Sequence, residues 1–211
     1  MSIAVQDSLL DAGDQTAPGS LHPQRLPLSH GAWIDVQRGW LGGSAALFAR
    51  LAETVPWRAE RRRMYDRTVD VPRLLCFYGE KEPLPDPALD ACRAALSAHY
   101  AAELGEEFVT AGLCFYRDGR DSVAWHGDRT GRGASHDTMV AIVSLGTARP
   151  LLLRPAPART GGHGSQRYRL GHGDLLVMGG SCQRTWEHAV PKSSHPAGPR
   201  ISVQFRPRNV R

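Results

Sequence analysis

The stretch Arg200-Ile201-Ser202-Val203-Gln204-Phe205-Arg206 alternates without a break. Side chains two apart on an extended chain share a face. Ile201, Val203 and Phe205 therefore turn one way, and Arg200, Ser202, Gln204 and Arg206 the other. The apolar set suits a core. The second set, two arginines with a hydroxyl and an amide between them, suits a small dianion, because a guanidinium grips a carboxylate through two parallel hydrogen bonds. A solvated edge strand carries the same pattern, so the segment needs its context.

Working back toward the N-terminus, strand-like runs recur at residues 108–117, 121–128, 138–145, 150–154, 167–170, 174–178 and 184–190. Gly, Pro, Asp or Arg-Gly turns separate them. Two helices precede them. Residues 44–53 offer Ser44 as a cap and Pro56 as a stop. Residues 87–104 repeat apolar side chains every three or four positions and meet Gly105 just past the end. This order predicts a mostly β fold with supporting helices, a barrel or jelly roll. Residues 1–30, rich in Asp, Gln, Gly, Pro and Ser, predict a poorly ordered arm, leaving 31–211 as one domain.

The bulk properties narrow the partners. A chain of 211 residues builds one sizeable core. Its net charge of +5 comes almost wholly from arginine, since Lys81 and Lys192 are the only lysines. Arginine forks match phosphate oxygens, which favours an acidic partner such as nucleic acid. Cys76, Cys92, Cys114 and Cys182 form no C-x-x-C pair, which argues against structural zinc. With neither a signal-like start nor a membrane-length apolar run, a cytoplasmic monomer is expected.

Two segments carry metal-binding chemistry. In Trp125-His126-Gly127-Asp128 the histidine and the carboxylate stand two apart, and in a strand both reach one face. His188, within Thr185-Trp186-Glu187-His188-Ala189-Val190, supplies a second imidazole from another strand-like run. His163, His172 and His195 lie in Gly- or Pro-rich loops and are poorer candidates. Two histidines and a carboxylate, with open positions opposite, form the facial triad of non-haem iron(II) oxygenases. H-x-D alone is weak. An arginine strand starting twelve residues after His188 makes it specific.

The order H-x-D, a long gap, His, then two arginines six positions apart resembles the AlkB family of dioxygenases. Phe115-Tyr116-Arg117-Asp118-Gly119 before the first ligands, and Gly173-Asp174-Leu175-Leu176-Val177-Met178 before the last, resemble it too. The resemblance covers roughly residues 45–210. It implies a double-stranded β-helix (core 108–206) holding iron(II) on His126, Asp128 and His188. It implies 2-oxoglutarate as co-substrate, with Arg200 on the distal carboxylate, Arg206 near the chelating end, and Tyr116 and Ser202 assisting. The implied reaction consumes molecular oxygen and removes N-alkyl groups from DNA or RNA bases, as in alkylation repair.

The resemblance also implies a nucleic-acid lid over residues 57–80, where arginines alternate with aromatics. Arg61, Arg62 and Arg63 are expected on phosphates, and Arg73 and Tyr78 near the base, with Phe77 read as core. Two positions depart from the family. Cys114 stands where relatives often carry asparagine. Arg129 follows the H-x-D motif where repair-type members place acids, which points to neutral, carbonyl-bearing lesions if it faces inward. Other readings are the same chemistry on tRNA or protein, a catalytically silent nucleic-acid-binding β-helix, or, least well, a cupin-like isomerase.

Overall fold

Strand alternation sets the layering. The computed structural model describes residues 15–64, 67–128, 131–156 and 165–210, and only the backbone over 61–71. In chain order the elements are β1 (Ala17–Pro18), β2 (Gln24–Pro27), β3 (Ala32–Gln37), β4 (Leu41–Gly42), α1 (Ser44–Thr54), β5 (Arg58–Met64), β6 (Arg67–Tyr78), α2 (Pro87–Leu104), β7 (Thr110–Tyr116), β8 (Val123–His126), β9 (Val140–Gly146), β10 (Arg149–Pro155), β11 (Gln166–Leu170), β12 (Asp174–Gly180), α3 (Cys182–Thr185), β13 (Trp186–Val190) and β14 (Arg200–Arg206). An eight-stranded sheet runs β2-β3-β12-β9-β14-β7-β6-β5, and a four-stranded sheet runs β11-β10-β13-β8. Their pairings are antiparallel.

Two apolar layers hold this arrangement. Ile201, Val203 and Phe205 of β14 join Leu113, Val143 and Val177 beneath α1 and α2, which contribute Leu47, Phe48, Leu51, Leu89 and Leu96. Between the sheets, Ile142, Leu176 and Met178 meet Leu151, Leu153, Trp186 and Val190. The small sheet thus covers one face of the large one and the helices cover the other, which is the expected double-stranded β-helix. Strand β14 lies at its centre, between β7 and β9.

Local chemistry explains the element ends. Asp86 caps α2, its carboxylate accepting from the Ala88 N–H at 2.9 Å, and Gly105 stops the helix with a left-handed φ of 72°. At α1 the cap is Gly43 rather than Ser44; the Ser44 hydroxyl instead donates to the Leu41 carbonyl. The expected strand over 184–190 opens with the helical turn α3 and becomes extended only at Trp186. Part of the N-terminal arm is paired: β1 lies on β4 and β2 on β3. Its Pro- and Gly-rich composition hides these strands, because edge pairing needs no apolar alternation.

Candidate metal centre and anion cavity

Strands β8 and β13 pair with His126 directly opposite His188, their rings 4.2 Å apart between centroids. Asp128 completes the set, and one donor atom from each of His126, Asp128 and His188 lies within 4.8 Å of the others. Strand alternation does not achieve this, since β8 ends at His126. Neighbours bring Asp128 in. Its backbone N–H donates to Gln183 Oε1 at 3.3 Å, and its Oδ2 accepts from Arg206 Nε at 2.7 Å. Gly133 passes so close beneath its carbonyl that a side chain there would overlap it.

The protonation of the set suits a divalent cation. His126 Nδ1 lies 2.9 Å from the Ala124 carbonyl oxygen. A carbonyl can only accept, so Nδ1 carries the proton and Nε2 keeps its lone pair. Burial pulls His126 below its ordinary pKa. Burial and the neighbouring His126 pull His188 down to about 3. Burial alone would raise Asp128, but Arg206, His188 and His126 together bring it to about 2. Neutral imidazoles and an ionised carboxylate are the forms that coordinate metal. Two nitrogens and one oxygen converging on one point fit iron(II).

Beside these ligands lies a cavity whose lining includes Arg73, Arg200 and Arg206 and, among the described residues, no carboxylate. Arg200 decides its character. It is 1% exposed, its Nε donates to Ser144 Oγ at 3.0 Å, and its Nη1 is buried with no partner among the described residues. Burial and the nearby Arg149 pull its pKa below the ordinary value. An isolated buried guanidinium costs several kcal/mol, on the order of the desolvation penalty of one ion. A carboxylate entering the cavity offsets that cost, so the site fits 2-oxoglutarate. Tyr116, opposite Arg200 on β7, has its ring 5.2 Å from the Arg200 guanidinium carbon. Burial pushes the Tyr116 hydroxyl up to about 12, so it stays a donor.

The other residues on this face divide the work. Ser202 lines the cavity, and its hydroxyl accepts from Gln204 Nε2 at 2.6 Å. Gln204 Oε1 lies 3.7 Å from the Cys114 sulfur, so an amide on β14 sits beside the cysteine that departs from the family pattern. Arg206 reaches the metal centre through Asp128. Arg149, Ser144 and Gln183 carry no local signal in the sequence. Arg149 donates to the carbonyls of Asp118, Asp121 and Pro191, three positions distant along the chain.

On the substrate side the outcome is mixed. Arg73 lines the cavity and its Nη1 donates to the Ser122 carbonyl at 3.3 Å. Tyr78 does not come to the cavity: it packs against the helix-side core with Cys76 and Phe115. Phe77, expected in the core, is instead 46% exposed. The two exchange faces because Phe77 pairs with Gly112, on the same face of β7 as Cys114 and Tyr116, while Tyr78 pairs with buried Ala111. Arg61, Arg62 and Arg63 lie on β5 at the edge of the large sheet, with side chains outside the described residues. Arg129 also lies outside them.

Known proteins share this arrangement. The model of the 2OG-Fe(II) oxygenase superfamily matches residues 42–206. Alpha-ketoglutarate-dependent dioxygenase alkB homolog 3 of Rattus norvegicus is 31% identical over 198 residues, 88% of this chain and 62% of that protein. DNA oxidative demethylase ALKBH2 of Arabidopsis thaliana is 27% identical over 219 residues, 86% of this chain and 68% of that protein. The solved structure of OsALKBH1 shares the fold, with a TM-score of 0.57 at 14% identity over 87% of this chain and 100% of that one. With a matched span that runs from α1 to the last arginine of β14 and takes in the whole donor set, the chain belongs to the 2OG-Fe(II) oxygenase superfamily, among its AlkB-like members.

Proposed function

We propose that this protein removes N-linked alkyl groups from the bases of DNA or RNA, and that residues 31–211 act as one oxygenase domain. One observation carries the reading: the two histidines of a His-His-carboxylate donor set line the same cavity as a buried arginine whose Nη1 has no partner among the described residues. His126, Asp128 and His188 would hold iron(II). Arg200, with Tyr116 beside it, would take the distal carboxylate of 2-oxoglutarate. Iron(II), 2-oxoglutarate and oxygen bound there would together supply oxidative dealkylation, with carbon dioxide and succinate as co-products and the alkyl group leaving as an aldehyde.

The chain's own work is positioning and exclusion. Arg206 holds Asp128 in place, and the Ala124 carbonyl fixes the His126 tautomer. Val140, Ile142, Leu151 and Val190 line the cavity with apolar surface and keep water scarce. Arg73 on the wall and the arginine-rich hairpin β5–β6 beyond it support a polyanionic substrate. The Arabidopsis thaliana relative bears the name DNA oxidative demethylase.

The test supplies the purified protein with iron(II), 2-oxoglutarate, oxygen and oligonucleotides that each carry one alkylated base. The expected result is loss of the alkyl mass with one succinate per group removed, absent in His188→Ala. Succinate without mass loss from any oligonucleotide would move the chemistry to another substrate. Absence of both iron binding and succinate would leave a silent binding module.

A further inference from the structure

Four residues form a block on one face of the large sheet. Ser202 lies opposite Cys114, and Gln204 opposite Gly112. Cys114, Ser202 and Gln204 line the cavity beside the metal donors. Gly112 contributes no side chain, and a Cβ there would come within 3.2 Å of Gln204 Oε1. That gap lets the Gln204 side chain fold back along its own strand to Ser202 and across to Cys114.

The hydrogen bonds fix which way the amide points. Gln204 Nε2 lies 3.0 Å from the Ser202 carbonyl oxygen, which can only accept. The nitrogen therefore belongs on that side, and its second N–H reaches Ser202 Oγ at 2.6 Å. Oε1 is left on the far side, where the Cys114 thiol donates to it at 3.7 Å. With both N–H groups engaged, Gln204 has no donor left for an anion. Its spare lone pair on Oε1 has the wrong sign for one.

Ser202 is in the opposite position. Its hydroxyl accepts from Gln204 and makes no other hydrogen bond among the described residues. A lone pair so occupied turns the O–H proton away from Gln204. Ser202 is 3% exposed, and a buried hydroxyl proton needs an acceptor. The cavity that Ser202 lines is where one can enter, and Arg200, two residues along the same face, selects an acceptor with negative charge.

Resting on the 2-oxoglutarate reading above, we propose that Gln204 is a positioning residue for the co-substrate: it occupies the acceptor side of the Ser202 hydroxyl and so aims that proton at a carboxylate in the cavity. The Cys114 thiol steadies the amide from behind. The donor that an asparagine at position 114 would offer is thus supplied from β14, by Ser202. A hydrogen bond to an ionised group is worth about 1.5–3 kcal/mol, about ten- to 150-fold in affinity. Without the amide the hydroxyl can still donate, but it must choose among staggered orientations and is no longer polarised by a donor. That loss is smaller, about three- to ten-fold.

The experiment is a double-mutant cycle read by binding. Iron(II)-loaded protein is titrated with 2-oxoglutarate in a calorimeter under anaerobic conditions. Ser202→Ala should weaken binding by about ten-fold or more, and Gln204→Leu by about three- to ten-fold. The double variant should bind no more weakly than Ser202→Ala alone, because Gln204 acts only through Ser202. Melting curves check folding, and Gln204→Met, unbranched and of similar bulk, repeats the measurement if leucine perturbs the strand. A double variant weakened by the product of the two single effects overturns the relay, since Gln204 would then act independently of Ser202. Wild-type affinity in Ser202→Ala, or in both apolar Gln204 variants, also overturns it and leaves the 2-oxoglutarate reading intact. A wild type that does not bind 2-oxoglutarate overturns that reading and the relay with it.

Discussion

The two faces of β14 are both buried along most of the strand and are built from opposite chemistry. Toward the helices, Ile201, Val203 and Phe205 are each 0% exposed; toward the small sheet, Arg200 is 1% and Ser202 3% exposed. The first face meets only hydrocarbon, so any side chain of the right volume and shape would serve it. The second meets Ser144, Tyr116, the candidate metal ligands and a cavity, and Arg200 keeps a buried nitrogen with no partner among the described residues. Burial therefore does not tell stability from function here. What tells them apart is whether each buried group is satisfied within the chain. The helix face is complete within the chain, whereas the cavity face leaves Arg200 Nη1 without a partner among the described residues.

That contrast is sharpest at Phe205. Truncating a buried phenylalanine costs about 3–5 kcal/mol through lost burial and the cavity left behind. Phe205→Ala should lower unfolding stability by that amount in a denaturant titration. Its folded fraction should still bind 2-oxoglutarate with wild-type affinity. A large drop in affinity at full folding would show that the two faces are mechanically coupled.

Arg200 is the opposite experiment. Losing one partner of a buried, hydrogen-bonded charge pair costs about 2–5 kcal/mol of binding. Arg200→Met should therefore weaken 2-oxoglutarate binding by more than ten-fold in calorimetry with the metal-loaded protein. Without ligand, the same variant should be as stable as wild type or more so, because methionine fills the space and removes an unpaired buried charge. A variant that binds poorly and also unfolds readily would make Arg200 a structural residue, and the division between faces would fail.

How far the sequence foretold this division depends on the range of each interaction. Alternation is local, so the two faces of β14 were legible at once, as was α2, whose apolar repeat and stop at Gly105 lie within or next to the element they define. The donor set was legible because motif and spacing single out His126, Asp128 and His188, although not for the geometric reason expected. The strand stops before Asp128, and two residues distant in sequence hold it in place, Arg206 through the carboxylate and Gln183 through the backbone N–H. Arg149 was invisible for the same reason, as its three acceptors are carbonyls spread from Asp118 to Pro191. The exchange of Phe77 and Tyr78 is an error of parity. Both are aromatic and adjacent, and only the β6–β7 register decides which one faces the helix-side core.

The smallest perturbation tests the narrowest part of the contrast. Gly112 sits on the cavity face with ordinary strand backbone, so its lack of a side chain is explained by what occupies the space and not by its dihedral angles. An added methyl would meet Arg206 Nη1 at 2.9 Å and Gln204 Oε1 at 3.2 Å. Arg206 is a long side chain and would normally yield, but its Nε is tied to Asp128 at 2.7 Å, and both partners are largely buried. Gly112→Ala should therefore leave the fold nearly untouched and tilt the guanidinium that aligns a metal ligand. Partners that orient ligands are typically worth about 10- to 100-fold in metal affinity. An adjustment of a few tenths of an ångström belongs at the lower end, near ten-fold, read by competition for iron(II) with a chelator of known strength. Gly112→Ser, similar in bulk but able to hydrogen-bond the Gln204 carboxamide oxygen, should lose less. If both variants hold metal as wild type does, Arg206 aligns nothing, and its pairing with Asp128 is simple charge neutralisation. If Gly112→Ala instead loses several kcal/mol of stability with metal affinity intact, the cavity face carries packing of the kind assigned here to the helix side alone.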